Sequence, residues 1–345
     1  TQRSPNEGRE PAHGLNMNVL ITGGTGSIGS QLVVPLVRRG DRVVVFDVRS
    51  MPHLRTPEFS EVTIVKGNLA DRHAVAQAVR SSKIDSIFHL GALLSSAAET
   101  HPHEAWQANM DGMVNVLEAA RLGGAGKVVF SSSVAAFGEH LSSPVTLDSP
   151  QWPVSLYGVT KVAGERLGVY YGVRFGLDFR SIRIPAVIAP HGAAGGTSAY
   201  CSAVFEHSVR NGNYNFYVRP STRAPMLYID DAVRALLDLH EASNRALTRR
   251  VYNVAGIAPS AQELAKAIRK RLPKICITYT PDPLRTSIVE SWPWTIDDSE
   301  ARKDWNWKPM WDLEMITNEV IALLTKDPKF KRRGPPHDAP RGNVS

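Results

Sequence analysis

The stretch Val19-Leu20-Ile21-Thr22-Gly23-Gly24-Thr25-Gly26-Ser27-Ile28-Gly29 decides the fold of this chain. Three consecutive apolar β-formers read as a short buried strand. The glycines read as a turn, and from Ser27 the apolar residues recur at helical spacing to about residue 37. A strand that runs through glycines into a helix N-terminus suits a dinucleotide pyrophosphate: glycine lets backbone N–H groups come close, and the helix end adds its positive pole. The glycines stand as Gly23, Gly26 and Gly29, a GxxGxxG spacing, with Ser27 and Ile28 opening the helix. The bland alternative is a tight turn alone. Asp47 closes the next apolar run, 24 residues after Gly23. A carboxylate there accepts bonds from adenosine ribose hydroxyls and repels a 2′-phosphate, so the expected cofactor is NAD rather than NADP. Arg49 complicates this, since an arginine so near can hold that phosphate. Asp71, in Gly67-Asn68-Leu69-Ala70-Asp71, could reach an adenine amino group or simply cap the helix that begins at Arg72.

Outward from this motif the pattern repeats. Apolar strands are expected at residues 43–46, 62–65, 84–90, 128–130 and 179–184. Helices are expected at 27–37, 74–79, 105–120 and 156–173. Continuous apolar strands alternating with helices mean parallel βαβ units covered on both faces, an α/β doubly wound (Rossmann-type) sheet with ligands at the carboxyl ends of its strands. After Pro190 the character changes. Gly192, Gly195 and Gly196 make a loop, and shorter elements follow: helices at 200–210, 231–242, 260–271 and 313–324, and a strand at 226–229. The expected organisation is a disordered leader (1–16), a dinucleotide-binding domain (17–190), a smaller substrate lobe (191–325) and a disordered basic tail (326–345).

Composition narrows the function classes. Of 345 residues 43% are hydrophobic and 21% charged, which excludes wholesale disorder. The last 20 residues hold six Lys or Arg against two Asp, so +4 of the net +7 lies in the tail. The remaining body is too weakly basic to grip nucleic acid. No apolar run reaches the roughly 18 residues of a membrane span, and the start has no secretory apolar region. Cys201 and Cys276 form no CxxC, which fits a reducing compartment; a cytoplasmic location is expected. His101 and His103 have no third ligand at metal spacing, so no metal is expected. Five tryptophans between Trp292 and Trp311 read mainly as core of the second lobe. Asp230-Asp231 reads as an N-terminal cap pair.

A second constellation is Tyr157-Gly158-Val159-Thr160-Lys161. On a helix, positions i and i+4 share a face, so phenol and ammonium lie side by side. The ammonium is expected to favour the phenolate and lower the tyrosine pKa toward that of a general base. Ser131-Ser132-Ser133 ends the fifth strand, at the edge where a nicotinamide would lie.

TGGTGSIG, Asp47, HLGALLS at 89–95, Asn109, SSS at 131–133 and YGVTK together resemble the extended short-chain dehydrogenase/reductase family over about residues 17–325. The resemblance implies a catalytic set of Ser133, Tyr157 and Lys161, with Asn109 organising backbone and water behind the lysine. It further implies that Leu69, Leu90, Gly91, Ala92 and Pro185 join the cofactor contacts, along with Tyr157 and Lys161. Several stretches are similar to the short-chain type of L-threonine 3-dehydrogenases, among them Ala92-Leu93-Leu94-Ser95, Gly195-Gly196-Thr197, Pro225-Met226-Leu227-Tyr228 and Ser291-Trp292-Pro293. By that resemblance Ser95, Ser133, Tyr157, Thr197, Ser198 and Trp292 line the substrate site. The chain departs from those enzymes at Ala199, where they tend to carry an acidic residue.

The expected function is therefore NAD-dependent oxidation of a secondary alcohol on a small hydroxy acid or hydroxy amino acid, with Tyr157 as base. A sugar-acid dehydrogenase and a nucleotide-sugar epimerase or dehydratase with retained NAD remain open alternatives. Apolar stripes on the helices near 105–120 (Val114, Val116, Leu117) and 155–173 (Val162, Ala163, Leu167, Tyr170) are expected to pair two copies as a homodimer; otherwise they only face their own sheet.

Overall fold

A computed structural model describes residues 16–50, 56–192 and 196–327. The expected leader apart from Asn16, the tail beyond Asp327, and Gly195 lie outside the described residues. In chain order the strands are β1 (Asn18–Thr22), β2 (Arg42–Asp47), β3 (Thr63–Lys66), β4 (Ser86–His89), β5 (Lys127–Ser133), β6 (Asp178–Ile184), β7 (Ala186–Ile188), β8 (Asn213–Phe216), β9 (Met226–Tyr228), β10 (Val251–Asn253) and β11 (Cys276–Tyr279). The α-helices are α1 (Ser27–Arg38), α2 (Arg72–Ser81), α3 (Ser95–Thr100), α4 (Pro102–Trp106), α5 (Gly112–Gly123), α6 (Leu156–Phe175), α7 (Tyr200–Asn211), α8 (Ile229–Glu241), α9 (Ala261–Arg271), α10 (Pro283–Glu290), α11 (Ser299–Trp305) and α12 (Leu313–Lys326).

Among the described residues the main sheet has seven strands, in the order β10-β6-β5-β4-β1-β2-β3. β1 lies between β2 and β4, parallel to both, with Leu20 opposite Val44 on one side and Ile87 on the other. The order reverses direction at β1, the crevice where doubly wound sheets take their ligands. No helix among the described residues is long and apolar enough to cross a membrane.

By Cα proximity the chain forms two units, each from three stretches. Of the described residues, one comprises those up to Ala92, Gln107–Phe130 and Arg166–Arg180; the other comprises Leu93–Trp106, Ser131–Glu165 and those from Ser181 on. Within the first, α2, α5 and the end of α6 cover a core that includes Leu20, Val44, Ile87, Val116, Leu117 and Phe179. Each large apolar side chain buried there contributes about 1.5–3 kcal/mol. Val116 and Leu117 are thus committed to their own sheet, whereas Val114 and Tyr170 of the same expected stripes are exposed. Within the second unit β10 extends the sheet beside β6, and β7 with β9 and β8 with β11 form two small parallel ladders.

The helix expected over 105–120 is interrupted. α4 ends at Trp106, a π-helical turn spans Gln107–Asp111, and α5 begins at Gly112. Apolar periodicity does not reveal one inserted residue in a turn, and such bulges concentrate at functional sites. Asn109 sits on it and is buried.

Candidate active site

In the first unit the glycine run makes a tight crossing of backbones. Gly23 has φ +69°, and a Cβ there would lie 2.7 Å from the Cα and N of Gly91. At Gly29 a Cβ would stand 2.5 Å from the Gly23 carbonyl. These two glycines are therefore required by the turn itself. Gly26 differs: beyond the Gly23 carbonyl a Cβ would meet only the tip of Arg49, at 3.8 Å, so its outer side is open. Gly26 is the N-cap of α1, and Ser27 and Ile28 form its first turn. Thr25 Oγ1 is buried within this loop with no hydrogen-bond partner. An orphaned hydroxyl beside free helix amides fits a ligand rich in acceptor oxygens.

Asp47 ends β2, buried. Its Oδ2 accepts from the Thr25 amide at 3.1 Å and its Oδ1 from the Arg49 amide at 3.1 Å. The mostly exposed Arg49 guanidinium is 3.9 Å from Asp47 Oδ1. Leu69 packs against Gly91 and Gly112, where a Cβ would come within 2.7 and 2.8 Å of its side chain. The Leu90 amide donates to the Thr22 carbonyl at 3.1 Å. The Gly91 amide donates to Thr22 Oγ1 at 3.3 Å, and Ala92 is half-buried beside it in sequence. Thr22 Oγ1 also bonds His89 Nδ1 at 2.7 Å. Asp71 takes the capping alternative: its Oδ1 accepts from the His73 and Ala74 amides at the start of α2.

In the second unit Ser133, Tyr157 and Lys161 come together. Ser133 ends β5, and its Oγ accepts from the Ala135 amide at 3.2 Å and hydrogen-bonds the Tyr157 phenol. Lys161 Nζ lies 5.3 Å from the Tyr157 ring centre and donates to the Ser131 carbonyl at 2.6 Å. The expected electrostatics are reversed. Burial raises the Tyr157 phenol to about 12, opposed only by the Ser133 bond, and lowers the Lys161 ammonium to about 7, opposed by the Glu165 charge. Spacing alone predicts mutual support; desolvation of both groups outweighs it here.

Glu165 lies outside the set expected from sequence. It is wholly buried one turn beyond Lys161 and accepts from Ser132 Oγ at 2.5 Å, from Gln151 at 3.0 Å, and from Arg183 through two bonds of 2.9 Å. Lys161 and Glu165 thus hold successive residues of the β5 terminus. Its signal in the sequence is a third member of the i, i+4, i+8 face, but a lone Glu on a helix reads as a solvated charge.

On the expected substrate side, Ser95 Oγ lies 3.1 Å from Thr197 Oγ1 and accepts from the Thr197 amide at 3.0 Å, with both residues buried. Ser198 follows in a turn, where its carbonyl accepts from the Cys201 amide at 3.0 Å. Trp292 is buried just past α10, and Pro185 is buried between β6 and β7.

The NAD dependent epimerase/dehydratase family model matches residues 19–255. A mitochondrial L-threonine 3-dehydrogenase from Bos taurus is 38% identical over 305 residues, covering 87% of this chain and 80% of that protein. Among solved structures, L-threonine dehydrogenase from Clostridium difficile matches with a TM-score of 0.84 and 34% identity, covering 90% of this chain and 99% of that one. The holo form of a GalE-like L-threonine dehydrogenase from Cupriavidus necator matches with a TM-score of 0.82 and 36% identity, covering 89% and 99%.

Proposed function

The chain belongs to the NAD dependent epimerase/dehydratase family, and from that premise we propose that it is an oxidoreductase of the L-threonine 3-dehydrogenase kind, oxidising the secondary alcohol of a small 3-hydroxy amino acid to the 3-oxo product. The observation that carries this reading is the Ser133–Tyr157 hydroxyl pair with the Lys161 ammonium under the phenol ring. The cofactor is NAD, which when bound accepts the hydride from the carbinol carbon and brings a positive ring charge. Tyr157, as phenolate, takes the proton of the carbinol oxygen, and Ser133 holds that oxygen in place. Lys161 supplies positive charge beside the phenol and donors for a ribose, and Asn109 orders backbone and water. Gly26, Thr25 and the first turn of α1 receive the pyrophosphate, and Asp47 the adenosine ribose hydroxyls.

A second reading, a sugar-acid dehydrogenase, is favoured by one position. Ala199 stands at the N-cap of α7 and offers no carboxylate to a substrate ammonium. The test mixes the protein with NAD and a panel of 3-hydroxy amino acids, aldonates, uronates and nucleotide sugars, following NADH absorbance. Turnover of 3-hydroxy amino acids is expected. Turnover confined to acids without an amino group supports the second reading, and interconversion of nucleotide sugars without net NADH overturns both.

The same reading includes a cytoplasmic homodimer paired through α5 and α6. Exposed Val114 on α5 and Tyr170 and Val173 on α6 support the pairing, and the free thiols of Cys201 and Cys276 suit a reducing compartment.

A further inference from the structure

Tyr217 directly follows β8, outside every motif of the catalytic set. Its phenol makes two bonds to one short turn: it donates to the Thr197 carbonyl at 3.0 Å and accepts from the Tyr200 amide at 3.0 Å. The turn is therefore clamped at both ends by one oxygen, and Tyr200 N–H, an otherwise orphaned donor in the first turn of α7, is satisfied. The ring is held edge-on by Tyr200, at 5.8 Å and 89°, and covered by the Arg285 guanidinium at 4.8 Å. The main chain of the same residue reaches the other way. Its carbonyl accepts from the Asp282 amide at 2.8 Å and from Thr286 Oγ1 at 3.1 Å, the N-cap and first turn of α10. Two residues past the end of that helix stands Trp292.

We propose that Tyr217 is a positioning residue that joins the Thr197 turn to α10 and so presets Thr197 against Ser95 for substrate binding. Its bearing on substrate rests on the function proposed above. The phenol has the geometry such a joint requires, because a rigid ring fixed on two sides delivers one oxygen that serves as both donor and acceptor. Without it the turn keeps the bonds of the Thr197 amide and hydroxyl to Ser95 but loses the oxygen that ties the Thr197 carbonyl to the Tyr200 amide.

Tyr217→Phe keeps the ring contacts and removes only the hydroxyl. Two readouts separate the joint from its use. Amide hydrogen exchange at Tyr200 should accelerate by roughly 10-fold or more, whatever the substrate. With the turnover substrate, KM should rise roughly 10-fold while kcat stays within about 3-fold and NAD affinity is unchanged. Thr286→Val, which leaves the phenol intact and removes one of the two bonds to the Tyr217 carbonyl, should move KM in the same direction by less. Unchanged Tyr200 exchange overturns the joint. Accelerated exchange with KM unmoved in both variants overturns the positioning role. Should the wild type oxidise no member of the panel, the proposed function fails, while Tyr200 exchange still decides whether the phenol braces the turn.

Discussion

At Tyr157, burial lifts the phenol to about 12 while the Ser133 hydroxyl pulls it down. Tyr157 is therefore a neutral phenol until the nicotinamide ring adds its positive charge to that of Lys161, and on the proposed function Tyr157→Phe should lower kcat by roughly 10²–10⁴-fold while leaving NAD affinity nearly intact, as equilibrium titration would show. Lys161 makes a separate prediction about pH. Its folded ammonium titrates near 7 against an ordinary value of 10.5. Below 7 both folded and unfolded chains hold the proton, and the burial penalty stands in full. Between about 7 and 10 the unfolded chain keeps a proton that the folded one has released, so this group makes stability rise with pH. Urea unfolding of the wild type should gain on Lys161→Met across that window, and parallel profiles would remove the shift. Asp47→Ala should narrow the preference for NAD over NADP in a binding titration, because the exposed Arg49 beside it remains to meet a 2′-phosphate. The Tyr–Lys pair is legible from spacing. The direction of its shifts is not, because desolvation depends on what covers the pair and not on its register.

The Asp230-Asp231 pair reads from sequence as a cap for its own helix, yet no side chain caps α8. Asp231 instead reaches another segment: buried, it accepts from the Met310 and Trp311 amides, at 2.9 and 3.3 Å from Oδ2, and from Arg234 at 2.6 Å. Asp231→Ala leaves two amides without their acceptor and should cost about 2–4 kcal/mol, measured by chemical denaturation. An acidic pair after an apolar strand announces a helix start faithfully, but a tertiary partner 79 residues away is invisible to local pattern. The same limit governs the other elements. Strands with four or more buried residues, such as β1 and β2, stand out in the sequence. β10 has three residues, directly after Arg249 and Arg250, and its place beside β6 comes only from pairing. Of the tryptophan cluster, Trp292, Trp305 and Trp307 are buried as core while Trp294 is exposed. Glu165 is hidden for the opposite reason to β10: its register is plain, but the arginine that makes its burial tolerable lies 18 residues on.

For the molecule as a whole, α5 and α6 divide their apolar residues between the sheet and the outside. Val173 is 85% exposed and Tyr170 53%, flanked by Phe175 under the Arg121 guanidinium. Val173→Glu should convert the proposed dimer to monomer in sedimentation at micromolar concentration, with thermal stability of the isolated subunit little changed. A wild-type chain that sediments as a monomer would remove the pairing. β10 has a consequence of another kind, for the order in which the chain can be finished. β6 is complete by Ile184, but its outer partner begins at Val251. During synthesis some 70 residues must leave the ribosome before the Ser181–Arg183 edge finds its mate, roughly 3–14 s at ordinary elongation rates. For that interval the nascent sheet presents a bare hydrogen-bonding edge, the kind of surface that recruits foreign strands. A ribosome stalled near residue 250, with β6 already clear of the ribosome, should therefore display its nascent chain as a chaperone client, and one stalled well past Asn253 should not.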